Sequence, residues 1–130
     1  MSIATAIPAN AWDLALDPAT NDIYFDEAGD LTLCDGADLA QQTIRTVLLT
    51  HSGEWWGDTT LGVDWRGEVL VKAPRLDIVR ALIADQILRV PGVRAVGEIT
   101  VDIDATTRAA VITINATATT GELLQGEITL

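Results

Sequence analysis

The chain is predicted to fold as α+β: two helices packed on a mostly antiparallel sheet, in the order β-β-α-α-β-β with a C-terminal strand-like tail. Three observations predict this. Apolar residues alternate with polar ones near the N-terminus and again throughout the last third. Between these regions, two segments carry apolar residues at helical spacing. In the last third, the polar partners of the alternation are Thr and Asn, which suits an antiparallel hairpin with one face in water.

Taken in order, Trp12, Leu14 and Leu16 alternate with Asp13 and Ala15, a short half-buried strand that Asp17-Pro18 ends. Ile23-Tyr24-Phe25 and Leu31–Cys34 flank the acidic turn Asp26–Asp30, where Gly29 supplies a positive φ, and together they read as a hairpin. Asp35 or Gly36 serves as N-cap of a first helix, with Asp38 in the first turn. Ala40, Ile44, Val47 and Leu48 form its apolar stripe, and it runs to about Thr50 or His51, with Gly53 at its C-terminal cap. Pro74 suits the first turn of a second helix, whose stripe is Leu76, Val79, Leu82, Ile83 and Ile87. Asp85 and Arg89 stand four apart as a surface pair, and Pro91-Gly92 ends the helix. Ile99, Val101 and Ile103 then alternate as a strand, Asp104–Thr107 turn, and Ile112, Ile114, Ala116 and Ala118 return. After Gly121, Leu124, Gly126, Ile128 and Leu130 alternate once more. The expected core is Leu14, Leu31, Leu33, Ile44, Val47, Leu48, Val79, Ile83, Ile99, Val101, Ile112 and Ile114.

With 130 residues and 48% apolar composition, the chain has the size and content of one globular domain. Its net charge of −11 argues against nucleic acid and against an anionic membrane surface, since both recruit Lys and Arg. All eight basic residues lie between Arg45 and Arg108, so the N-terminal third is purely acidic and could meet a basic partner. Cys34 is a lone thiol, expected as a small buried side chain. The N-terminus lacks the basic and apolar regions of a signal peptide, and a reducing cytoplasm is the expected site of synthesis.

No constellation predicts chemistry. His51 and Ser52 are sequence neighbours at a helix end, which is not triad geometry. One His and one Cys make no zinc site, and the N-terminal acids lack calcium-loop spacing. No metal or other cofactor is expected. Glu54 and Asp58, beside tryptophans, are the best candidates for a carboxyl pair of a sugar hydrolase, and no spacing signature supports them. What stands out is surface. The segment Leu49–Trp65, LTHSGEWWGDTTLGVDW, holds three of the four tryptophans. On an extended backbone, Trp55 and Trp56 would point to opposite faces, one toward the core and one outward. Exposed rings are enriched at protein interfaces.

Several pieces, in order, resemble one family: Asp30-Leu31-Thr32-Leu33, Val47-Leu48-Leu49-Thr50, Gly53-Glu54-Trp55-Trp56 with Asp58, Leu61-Gly62-Val63-Asp64-Trp65, and Ile87 through Val93. Over roughly residues 12–121 the chain is similar to the small baseplate wedge protein, or tail-sheath initiator, of contractile-tailed phages, with W-like and Mu-type members. The resemblance implies a structural component of the virion's tail baseplate. It implies partners among the larger wedge proteins, the tail sheath protein and, as further candidates, tube or hub proteins. Many members carry Glu-Pro-Arg after the second helix; here Val90-Pro91-Gly92 stands instead, which leaves Pro91 as the turn and Arg89 or Arg94 to replace the lost charge. The expected organisation is an arm over 1–11, a wedge domain over 12–121, and a strand over 122–130 that augments a neighbour's sheet. The expected partner-contacting residues are Trp55, Trp56, Trp65, Arg89, Pro91, Arg94, Leu124, Ile128 and Leu130. In the tail, Leu124, Ile128 and Leu130 would insert alternate side chains into the neighbour. The alternatives are a peptidoglycan-degrading, lysozyme-like enzyme using Glu54 and a free-standing adaptor that binds a helix in a groove.

Overall fold

A computed structural model describes residues 10–130. The expected N-terminal arm lies outside the described residues except for its last two positions. The fold is α+β, as the periodicities predict. Strands β1 (Trp12–Leu14) and β2 (Leu33–Asp35) pair antiparallel as a small separate sheet. Helices α1 (Gly36–Leu49) and α2 (Leu76–Leu88) follow, joined by a long connection that contains a π-helical turn, Trp65–Val69. Strands β3 (Val93–Ile103), β4 (Ala110–Ala118) and β5 (Leu123–Thr129) form an antiparallel sheet in the order β3-β4-β5.

The helices cover one face of this sheet, α1 lying over β5 and α2 over β3. On β4, alternate side chains from Ala110 to Ala118 are buried beneath the helices, while Val111, Thr113, Asn115 and Thr117 on the other face are half-buried. The strand-like tail is β5 itself. Leu124 pairs across from Ala116 and Ile128 from Ile112, and both side chains are buried in this protomer's core. Burying a side chain of this size stabilises by roughly 1.5–3 kcal/mol, so β5 is anchored by its own apolar alternation. Leu130 packs partly buried at the core's edge. The expectation that these side chains insert into a neighbour is therefore corrected: Leu124 and Ile128 are already occupied.

Nine of the twelve expected core residues are buried. Leu14 is only half-buried, and Leu31 and Leu33 are exposed. The reason is pairing. Leu14 opposes Leu33, and Phe25 opposes Leu31 across a single bridge, so these share one face. Ala15, buried, is on the other face, which leans on α1. The predicted hairpin around Asp26–Asp30 exists, with the Asp26 carboxylate accepting from the Ala28 and Asp30 N–H groups. It is part of a three-segment meander, in which the Ala15 N–H donates to the Thr32 carbonyl and the Thr32 N–H to that of Tyr24.

The helix limits differ slightly from expectation. Helix α1 stops at Leu49, and Thr50 is its C-cap; Gly53 lies in the following turn at φ +85°. Asp35 is the N-cap residue but makes no side-chain capping bond. Pro74 precedes α2 by two residues rather than lying in its first turn. The Asp85–Arg89 pair forms at 2.9 Å.

Candidate protein-binding edge and the surfaces around it

The alternation of β5 decides which of its backbone groups are free. Ala110 and Leu130 exchange both hydrogen bonds, at 3.2 and 2.9 Å. In an antiparallel ladder every second pair does so. With the register unbroken from Val111↔Thr129 to Thr117↔Leu123, Leu124, Gly126 and Ile128 direct their N–H and C=O groups at β4. Leu123, Gln125, Glu127 and Thr129 direct theirs outward. Among the described residues, no strand extends the sheet beyond β5. Among the described residues, the hydrogen bond to this outer edge comes from Arg45, whose Nη1 reaches the Glu127 carbonyl at 3.4 Å.

An open groove of about 1160 Å³ runs beside this edge. Leu124–Ile128 form one wall, the Gln41–Gln42–Arg45–Leu49 face of α1 contributes the floor, and Leu16, Tyr24 and Leu33 of the meander stand opposite. Trp55 and Leu61 close one end. Two side chains of α1 hold the far wall. Gln42 accepts from the Leu16 N–H and donates to the Leu14 carbonyl, both at 2.8 Å, so one amide does the work of a neighbouring strand. Arg45 donates to the Pro18 carbonyl at 2.8 Å and to Asn21 Oδ1 at 3.0 Å. Asn21 presents that oxygen from a left-handed backbone, φ +57°, a conformation Asn tolerates better than most residues.

The tryptophan segment divides differently from the expectation. Trp55 and Trp56 are both on the surface, 49% and 90% exposed, because the chain there is a series of turns rather than a strand. Gly57 lies under the Trp55 ring, where a Cβ would come within 2.7 Å of it. Trp65, expected at a partner surface, is the core ring at 5% exposure. Its Nε1 donates to the Leu48 carbonyl at 2.8 Å, which satisfies one of the last-turn acceptors that α1 leaves unpaired.

Arg89 is tied to this segment, with Nη1 at 3.4 Å from Thr60 Oγ1, besides its pair with Asp85. Pro91 and Arg94 are exposed, Arg94 being the extra residue of a bulge between Val93 and Ala95 on β3. The structure thus brings Arg89 to the tryptophan loop and leaves Arg94 on the opposite sheet edge from β5.

The candidate chemistry finds no geometry to support it. A general acid needs a raised pKa. Asp58 is held below the ordinary carboxylate range by hydrogen bonds from the Thr60 hydroxyl and N–H. Glu54 accepts from the His51 N–H at 3.1 Å, and His51 Nε2 faces Asp64 at 3.8 Å. Burial, followed by nearby Asp13, pushes the Cys34 thiol up, away from a reactive thiolate. Among the described residues, no three His, Cys, Asp or Glu side chains converge as metal ligands.

The Gln42 clamp and the role of Arg45 have no signature in the sequence pattern. The tail's alternation gave the signal for the edge but left open which chain would fill the inner face. Comparison with curated proteins gives no match. The sequence profile of the contractile injection system sheath initiators matches residues 12–122, from β1 through the turn before β5, and the chain therefore belongs to the sheath-initiator family of contractile injection systems.

Proposed function

We propose that this protein is a non-enzymatic baseplate component that starts sheath assembly by accepting an extended segment of a sheath subunit along the free edge of β5. The observation that carries this reading is the outward row of N–H and C=O groups at Leu123, Gln125, Glu127 and Thr129, of which Gln125 and Glu127 border a groove rather than a covering element. An unpaired strand edge is a template for another chain. Main-chain bonds would set the register of the incoming strand, and the α1 floor would read its alternate side chains. The larger wedge subunits would be met through Trp55, Trp56, Pro91 and Arg94, all of them exposed. Arg89, already paired with Asp85, would orient the tryptophan loop for that contact.

Deleting residues 122–130 is an unsuitable test, because it removes Leu124 and Ile128 from the core. A proline at position 125 is better. Proline is tolerated on an edge strand where its missing N–H would have faced outward. Gln125→Pro should fold, enter baseplates, and fail to seed sheath, while Gln125→Ala seeds normally. Normal sheath growth on folded Gln125→Pro would overturn the reading.

A further inference from the structure

We infer that the outer face of the N-terminal meander is a second docking surface, for a subunit that presents apolar side chains flanked by Lys and Arg. The inference rests on the assembly role proposed above but not on the β5 edge. Trp12 and Leu14 share a face with Leu33, and Leu31 with Phe25, by register and by the two-residue period of a strand. Trp12 and Phe25 are each 64% exposed and Leu33 53%. Apolar patches of this kind, ringed by charge, mark interaction sites. Trp12, Phe25 and Leu31 do not line the groove, whereas Leu33 borders both surfaces; the second surface is centred on the first three, so the two can be occupied together.

The charge around this face defines the partner. Residues 12–38 carry eight carboxylates and no Lys or Arg. None of the eight forms a salt bridge among the described residues. Asp13, Asp17, Asp22 and Asp26 accept bonds from nearby N–H groups, so their hydrogen bonding is met by the backbone and not by a salt-bridged cation. A second copy meeting this face with its own like face would set the two acidic sets against each other. A basic frame around an apolar patch is the complementary surface, and such complementarity sets partner choice and encounter rate.

The test places p-benzoylphenylalanine at Phe25, and in a parallel sample at Gln125, in assembled baseplates carrying sheath. The position-25 probe should cross-link to a chain other than this one, at a peptide rich in Lys or Arg beside apolar residues. Raising salt from about 0.05 M to about 0.5 M during assembly should lower the yield several-fold, since rim charges at a polar interface are screened. Asp26→Lys with Asp30→Lys should lower it similarly. A cross-link from position 25 to a second copy, or to a peptide without basic residues, overturns the inference, as does a silent position 25 when position 125 reacts. A silent position 125 with a reactive position 25 sinks the strand-edge reading and supports this one. Phe25→Ser with Leu31→Ser, both off the groove, supplies a second measure: it should melt like the parent protein yet be lost from baseplates, and full incorporation would overturn the inference.

Discussion

Gln86 and Gly62 form a buried hydrogen bond that anchors the tryptophan loop to α2: the Gly62 N–H donates to Gln86 Oε1 at 2.9 Å. The same amide's Nε2 donates to the Thr60 carbonyl at 3.1 Å. Gln86 is the buried polar side chain of the described residues, lying among Val79, Ile83 and Ile87 on the inner side of α2. Gln42 on α1 treats Leu14 and Leu16 in the same way. Each helix thus holds one irregular segment by a side-chain amide that mimics a strand edge. Gln86→Leu keeps the volume and removes both bonds, leaving the Gly62 N–H unpaired and the Thr60 carbonyl with only the longer bond from Arg89 Nη1 at 3.5 Å. It should lower stability by about 1–3 kcal/mol in urea unfolding and speed amide exchange at Gly62.

Gly62 is also fixed by its backbone. It sits at φ +95°, and a Cβ there would fall on the Thr50 carbonyl oxygen. That carbonyl accepts from the Val63 N–H at 3.1 Å, the bond that docks the loop on the end of α1. Gly62→Ala should therefore cost more than the roughly 1–2 kcal/mol of a left-handed alanine. Gly121→Ala is the control, at φ +93° with nothing near its Cβ, and should cost only that conformational amount. Equal losses in thermal or urea unfolding would show that the loop yields around Thr50.

Trp56 and Trp65 should separate cleanly. Trp56→Ser removes a ring that is almost wholly in solvent, and stability should stay within about 0.5 kcal/mol of the parent. Trp65→Phe removes the Nε1 donor from the Leu48 carbonyl and opens space in the core. A loss of roughly 2–4 kcal/mol is expected from the orphaned acceptor and the cavity together. Unfolding followed by circular dichroism rather than tryptophan emission makes the comparison fair.

These residues also show what a sequence can and cannot convey. The α1 and α2 stripes and the β4 alternation were legible because a period repeated over many residues leaves one face to bury. The meander was misread because its strands are three residues long, too short for periodicity to say which face meets α1; Leu31 and Leu33 went outward and Ala15 inward. The tryptophan pair was misread because alternation presumes an extended backbone, and Gly53, Gly57 and Gly62 bend this one. The segment 66–73 had no clear period, and its π-helical turn depends on Asp64 accepting from the Gly67 N–H, a contact with no pattern signature. The tail's two-residue period was read correctly, but alternation alone does not name the sheet a strand joins.

Acid should weaken the fold through its turns. Asp104 accepts from the Thr106 and Thr107 N–H groups at 2.7 and 3.0 Å, and these bonds, that from Thr107 foremost, lower its pKa. A carboxylate lowered in the folded state stabilises above its unfolded value, about 3.9, and that contribution is lost as pH falls through the folded value. The same sign holds for Asp58 beside the tryptophan loop. Asp104→Asn keeps an accepting oxygen but no titration. Its stability should therefore fall less than the parent's between about pH 5 and about pH 2. Parallel urea midpoints across that range would refute the assignment.

The direction of the β5 backbone can be checked without any partner. If Gly126 turns its N–H toward β4 and Gln125 turns its own outward, proline should distinguish them sharply. Gly126→Pro deletes a ladder bond to Ile114 and forces a ring against β4, which should cost on the order of 3 kcal/mol or more. Gln125→Pro deletes no ladder bond, only the exposed side-chain bond from Gln125 Nε2 to Asn115 Oδ1 at 3.2 Å, and its cost should be limited to that bond and to bending the edge strand, about 1 kcal/mol or less on the same reasoning. Amide exchange adds an independent reading in the parent protein: the N–H groups of Leu124, Gly126 and Ile128 should be protected and those of Gln125 and Glu127 should exchange fast. A protected Gln125 N–H in the isolated protein would mean the edge is already covered, and a covered edge has no strand to accept.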